Sequence, residues 1–456
     1  MRRTVPALVL LTGLWVVAAA GPALAHGFGG RTDLPVPRWL FVFGAGTALI
    51  VSFVALSALW TEPRFEHRRP DPARWTPLQR LLTNRSLEWT TRGLGLVAFA
   101  VVTAASLRRV ELTRTIGPVV VFDWFWAGLT FLQAIVGDLW ATLSPFDTLG
   151  RLLFPDRAGA PPRRYPRAWG VWPAALLLLA FVWVELVDPF GGAPGSLGLL
   201  ILTYTLVQVA GMFVFGREDW IRGGEAFAVY LGLIARLAPL ARDAEGRVIL
   251  RPPLAGLAGV EPRPGLLALV MVALGSTTFD GLSRTSLWVS RTASLTGLER
   301  TLVSSLGLLA TIGLVALAYA LAMVAASRVV QGRWHVLAVR FAPSLVPIVL
   351  AYAVAHYFSF LLIEGQLGLI RLSDPFGWGW DLFGTAGWQV NLALLSPNLI
   401  WYVQVAAIVI GHVGGVVLAH DRAIALFPRN EAIRTQYALL GVMVLFTSVG
   451  LLILSG

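Results

Sequence analysis

Apolar runs close to the ~20 residues that carry an α-helix across ~30 Å of hydrocarbon recur from one end of this sequence to the other. They fall at 38–60, 93–110, 118–142, 171–187, 198–215, 264–282, 301–327, 336–364, 398–419 and 435–455. Hydrocarbon satisfies no backbone N–H or C=O, so runs of this length fold as helices whose hydrogen bonds stay internal. The composition agrees, with 56% hydrophobic and only 13% charged residues, far from the soluble average. The expected fold is all-α: a polytopic membrane helix bundle of roughly ten transmembrane helices, with the lipid bilayer as its constant partner.

The run nearest the N-terminus is of another kind. Arg2 and Arg3 precede an apolar stretch from Val5 to Ala20, Gly21-Pro22 breaks it, and Ala23-Leu24-Ala25 follows. Small residues flanking a larger one after a short apolar core are what a signal peptidase cuts. Residues 1–25 are therefore read as a signal peptide, an uncleaved anchor being the alternative. The mature chain, 26–456, is expected to form a single multi-pass transmembrane domain that starts at His26.

Arginine sets the expected topology, because positive loops stay on the cytoplasmic side. The loops 61–92, 143–170 and 419–434 carry arginine clusters and are assigned inside, whereas 188–197, the tryptophan-rich 373–397 and the mature N-terminus are assigned outside. Residues 224–240 are apolar, yet a span there would export Arg242, Arg247, Arg251 and Arg263. They are read as a re-entrant or interfacial helix, with an eleventh span as the alternative. The net charge of +11 thus reports topology; it forms no basic face interleaved with aromatics, and no nucleic-acid partner is expected. The chain has no cysteine and no lysine, which removes disulfides, thiolate metal sites, cysteine nucleophiles, P-loop lysines and Schiff bases. Neither GxSxG nor HExxH occurs, so the familiar soluble hydrolase signatures are missing as well.

The sequence carries a candidate repeat: Asp188-Pro189-Phe190-Gly191 recurs as Asp374-Pro375-Phe376-Gly377, each followed by a span with Val-Gln-Val-Ala, at 207–210 and 403–406. Matching orientation of the two pairs fits a parallel internal repeat. Chance coincidence in so biased a composition is the alternative, with Asp-Pro ending one helix and capping the next.

Ionisable and amide side chains in hydrocarbon cost several kcal/mol unless paired or hydrated, so each asks for a partner or a task. Asp123, Asp138, Gln208, Gln404 and His412 are the candidates for a polar path across the bundle. His356 and Glu364, eight residues apart in AVAHYFSFLLIEGQ, point toward one exterior vestibule. With His26, whose free amine and Nδ1 make a bidentate chelate, and with Asp374, they form an outward-facing set able to ligate a copper or zinc ion. The competing reading makes His356 packing glue between helices. His67 and His335 are read as solvated loop residues, and His420-Asp421-Arg422 as an interfacial cluster.

The strings HGFGGRTDLPVP, AHYFSFLLIEGQ, SPNLIWYVQ and GHVGGVVLAHDRA, taken together, resemble a bacterial family of polytopic membrane proteins known as fenitrothion hydrolase. The resemblance runs over essentially the whole mature chain. It implies an exported protein of the bacterial inner (plasma) membrane associated with cleavage of organophosphate triesters, and it carries no set of catalytic residues onto these positions. Phosphotriester hydrolysis usually needs a metal-activated water held by histidine and carboxylate. Buried histidines, glutamines and carboxylates also serve proton- or cation-linked transport of an ion or small molecule. Transport or metal handling is the first expectation and a metal-dependent membrane hydrolase the alternative; a haem held by His356 and His412 is a third. Intact-mass measurement of the purified protein is expected to give a chain beginning at His26, and retention of residues 1–25 would contradict the cleavage reading.

Overall fold

The computed structural model describes residues 37–65, 71–72, 79–80, 83–108, 114–154, 161–193, 195–243 and 246–455; His26, His67 and the leader lie outside them. Among the described residues nine helices are long and apolar enough to cross a membrane: Trp39–Leu59, Arg85–Leu107, Val119–Val136, Ser196–Phe215, Leu266–Ser283, Gly297–Val330, Trp334–Ile363, Pro397–Leu426 and Arg429–Leu454. The chain is an all-α multi-pass membrane protein. The one remaining apolar run, 171–187, forms Trp172–Leu186, whose 15 residues reach ~22 Å at ~1.5 Å per residue. Two boundaries moved for physical reasons. The run 118–142 closes at Val136, because Gly137 adopts φ 110°. The run at 301–327 lengthens to Gly297–Val330, with Glu299 in its first turn and Arg328 in its last, charges that match the helix dipole.

The described helices divide between two compact units that interleave along the sequence and do not follow its halves. The first comprises residues 1–67, 273–356 and 396–456. Its hub is the Arg429–Ser455 helix, which packs against Arg38–Leu59, Gly297–Val330 and Pro397–Leu426. Lipid tails are as apolar as leucine, so such helices associate through close packing, and small residues allow it. Gly411 and Gly415 supply it here: a Cβ on Gly411 would overlap that of Ala351, and one on Gly415 would lie 2.9 Å from the Ser344 carbonyl oxygen. The approaching backbone includes the 3-10 stretch Ala342–Leu345, with Pro343 inside it and Pro347 just after it, both lacking the donors an α-helix would use.

His420 and Asp421, each 1% exposed, form a buried clamp. Asp421 accepts from Trp60 Nε1 at 3.0 Å and from the Arg64 and Phe65 backbone N–H groups at 2.6 and 3.2 Å. His420 Nε2 lies 3.0 Å from the Trp60 carbonyl oxygen, and its Nδ1 lies 3.2 Å from Gln436 Nε2. Together they fix the chain where it leaves its first described helix.

The second unit comprises residues 68–272 and 357–395. Val119–Leu129 is π-helical, and its aromatics pack with those of two shorter helices: Phe125 on Phe227 at 4.7 Å, Trp126 on Phe181 at 5.0 Å and on Tyr230 at 5.1 Å between ring centroids. The stretch 224–240 contains the helix Ala226–Ala235, ten residues long and ~15 Å by its rise, half the hydrocarbon depth. Glu225 caps it, accepting from the Phe227 and Ala228 N–H groups at 2.9 and 2.6 Å, and most of its apolar side chains are buried. A small antiparallel sheet follows, in which Val248–Leu250 pairs with both Leu240–Arg242 and Asp71–Pro72. That pairing joins the arginine-rich segment 61–92 to the arginine-bearing hairpin.

Asp147 is the ionic centre of this unit. Its Oδ2 meets Arg92 Nη1 at 2.8 Å and Arg151 Nε at 3.1 Å, while its Oδ1 meets Arg217. Arg92 is buried, and its remaining donors go to Glu88 Oε1 at 3.0 Å and the Ala141 carbonyl oxygen at 3.2 Å. Burial pushes the Asp147 carboxyl up, but Arg217 and then Arg151 outweigh it and hold the group below the usual carboxylate range. Stability from a depressed carboxyl is full above its unfolded value of ~4 and is lost as pH falls through the folded value. Asp147→Asn leaves the buried Arg92 with only the half-exposed Glu88 as counter-charge and should cost about 3 kcal/mol at pH 7. The gap between wild type and variant in thermal unfolding should narrow as the pH falls below ~4 and close only below the depressed folded value of Asp147.

Candidate functional site

The helix Leu266–Ser283 is apolar until STTFDG, residues 276–281. The hydroxyls of Thr277 and Thr278 donate to the Ala273 and Leu274 carbonyl oxygens at 2.9 and 2.8 Å, so the helix satisfies them itself. Asp280 cannot be satisfied in that way. Its side chain is 4% exposed, and its Oδ2 lies 2.8 Å from His356 Nε2 on the Trp334–Ile363 span. Its other oxygen meets Arg284 Nε at 3.0 Å, one turn later on the same helix, and Arg284 is 62% exposed. A buried carboxylate thus stands between an imidazole and a guanidinium whose far end is solvated. Removing a proton from the imidazole side leaves Asp280 still paired with Arg284, which lowers the cost of changing the charge there.

A narrow cavity opens beside this pair, lined among others by Thr277, Gly281, Tyr352, His356 and Gly450. Both glycines are required by close approach: a Cβ on Gly281 would lie 2.7 Å from Ile453 Cγ2 and 3.5 Å from His356 Cε1, and one on Gly450 would lie 2.6 Å from the Tyr352 hydroxyl. That hydroxyl donates to the Phe446 carbonyl oxygen at 2.7 Å.

Two of the glutamine and histidine candidates join the same neighbourhood. Gln404 Nε2 donates to the Ala355 carbonyl oxygen at 2.8 Å, next to His356. His412 is fully buried, its ring 6.0 Å from that of Tyr352. Its Nδ1 lies 2.8 Å from the Ile408 carbonyl oxygen, a contact that requires the proton on Nδ1 and leaves Nε2 as an acceptor. No hydrogen-bond partner reaches that Nε2 among the described residues.

The remaining candidates belong to the second unit. Asp123 is buried on the π-helical stretch, where Glu364 is the charge that acts on it. Asp138 accepts from the Ala141 N–H at 3.1 Å in the helix break after Gly137. Gln208 accepts from Trp220 Nε1 at 2.8 Å. Asp374 accepts from the Trp378 and Gly379 N–H groups at 2.8 and 2.7 Å, and Asp188 accepts from the Phe190 N–H at 3.1 Å. Both Asp-Pro-Phe-Gly segments close with the glycine N–H on the aspartate carbonyl oxygen, at 3.2 Å in each. Both therefore act as turn formers. Among the described residues no three His, Asp or Glu side chains gather as a metal site, and His26 lies outside them.

Asp280 is the residue the sequence reading passed over. It was available there as an acid inside the run 264–282, and the rule that flagged His356 applies equally to it. Glu185, which accepts from the Tyr357 hydroxyl at 3.2 Å in the second unit, is a second such case. Comparison of the chain with family models, with curated proteins and with solved structures returns no match.

Proposed function

We propose that this protein is a proton-linked membrane transporter of an ion or small molecule, with Asp280 and His356 as its protonation site. The observation that carries the reading is the 2.8 Å contact between His356 Nε2 and Asp280 Oδ2, made between two membrane spans and bordered by a cavity. An ionisable pair is expensive in hydrocarbon and is kept there chiefly to bind or pass charge. Arg284 neutralises the carboxylate from its other side, so the site tolerates both protonation states of the imidazole. Tyr352, Gln404 and the unpartnered Nε2 of His412 extend the polar lining along the neighbouring spans. On the arginine threading, Asp280 and His356 lie in the outer halves of their helices, which gives the exterior access to the pair.

The resemblance to the fenitrothion hydrolase family supplies the alternative, a metal-dependent phosphotriester hydrolase. That chemistry asks for a copper or zinc ion and at least one ligand beyond Asp280 and His356. Among the described residues no third His, Asp or Glu gathers with the pair. Proton linkage asks only for the pair.

In proteoliposomes loaded with a pH-sensitive dye and challenged with a panel of cations and small organic solutes, the wild-type protein should move protons with at least one of them. Asp280→Asn and His356→Gln should each lower that flux about tenfold or more. His335→Ala, an exposed residue beside Trp334, should leave it unchanged. Folded Asp280→Asn and His356→Gln variants with wild-type flux would refute the assignment. A zinc or copper content that is stoichiometric in wild type and lost in His356→Gln, with no proton flux in either, would favour the hydrolase.

A further inference from the structure

The second unit holds a group of arginines that make no ion pair with a carboxylate among the described residues, at the inner end of the Val119–Val136 span on the arginine threading. Arg236 follows the buried helix Ala226–Ala235 directly, and its Nη1 donates to the Gly256 carbonyl oxygen at 3.2 Å. Arg251 turns back to the same helix end, donating from Nε to the Ala238 carbonyl oxygen at 3.1 Å and from Nη2 to that of Ala235 at 3.0 Å. A Cβ on Gly256 would overlap the Arg251 guanidinium, so both guanidiniums converge on that glycine. Arg263 is exposed and acts on Arg236 as a further like charge. Burial and then Arg236 push the Arg251 guanidinium down to about 10. Asp138 and Glu261 offset the repulsion from a distance, but among the described residues no carboxylate forms an ion pair with Arg236, Arg251 or Arg263.

The carbonyl oxygens that these arginines reach use only part of what each guanidinium can donate, which is five N–H groups in a planar fork suited to phosphate. The cluster also adjoins lipid-facing surface. Gly137 packs against the Leu240 carbonyl oxygen, 2.7 Å from where its Cβ would be. The last turns of the span before it expose Leu132, Ile135 and Val136 at 49%, 66% and 41%. A cationic group with spare donors thus follows directly on an exposed apolar stripe, complementary to a molecule with a phosphodiester head and hydrocarbon tails.

We propose that Arg236, Arg251 and Arg263 form the headgroup site of an anionic phospholipid, whose acyl chains lie along Leu132, Ile135 and Val136. The guanidiniums hold the phosphodiester, and the lipid supplies the counter-charge that the protein leaves out. The site is independent of the transport reading, because Asp280 and His356 are in the other unit.

The test uses full-length protein in detergent, with retained lipid measured by native mass spectrometry and unfolding followed by tryptophan fluorescence. Phosphatidylglycerol should be retained and should raise Tm where phosphatidylcholine does neither, and the retention should fall as salt is raised. The double variant Arg236→Gln/Arg263→Gln should bind phosphatidylglycerol about tenfold more weakly. Arg333→Gln, an exposed arginine of the first unit, should match wild type. Arg251 is left in place because it caps a helix. Equal retention of the two lipids, salt-insensitive retention by wild type, or unchanged binding by the double variant would overturn the proposal. A Tm rise with inorganic phosphate equal to that with phosphatidylglycerol would also overturn it, as it identifies a free-anion site. The salt and lipid arms use only wild-type protein, so the proposal stays open to refutation even if the double variant fails to fold.

Discussion

Charge withdrawn from water must meet a partner, and in this protein the positions of those partners organise everything that hydropathy leaves undetermined. A helix that satisfies its own backbone is free to sit anywhere in hydrocarbon. What ties one helix to a particular neighbour is a side chain that cannot be satisfied alone. Asp280 needs His356 and Arg284, Arg92 needs Asp147, and Asp421 needs the chain leaving the Arg38–Leu59 helix. Close packing around Gly411 and Gly415 then brings backbones near enough for such contacts to be short. Leucines would pack about as well against lipid as against each other.

This also explains what could be read from the sequence. The spans were legible, because a run of apolar residues has few alternatives once it exceeds the membrane thickness. His356 was legible as a residue in need of a partner, but the partner's identity was not. Periodicity along one helix carries no information on which helix lies opposite, and Asp280 is remote in the chain. Asp374 shows the converse. Its residue type fits a metal ligand, yet both its oxygens are taken by backbone N–H groups a few residues away, which is the ordinary work of aspartate before proline.

The ten-residue helix Ala226–Ala235 shows how length and charge were weighed. Its apolarity alone argued for a span, and the arginines after it argued against one. The resolution is a helix too short to cross, capped at one end by Glu225 and at the other by Arg251, so that its termini are satisfied inside the protein. A sheet strand drawn from the segment near residue 71 then keeps the following hairpin with the other arginine-rich loop. Helix length, capping and loop charge all agree there, the consistency expected of a sequence that specifies one fold.

The clamp at Asp421 has a consequence in time. Its contact with Trp60 joins residues 361 positions apart, and the hub helix Arg429–Ser455 that completes the same unit is made later still. At ~5–20 residues per second of synthesis, the first helix waits about 20 to 70 s in the membrane before its partner emerges. Throughout that interval Trp60 and the turn after it have no carboxylate to hold them. The first described helix must therefore be held in the bilayer by its hydropathy alone, and the unit to which it belongs can close only once Arg429–Ser455 has been made.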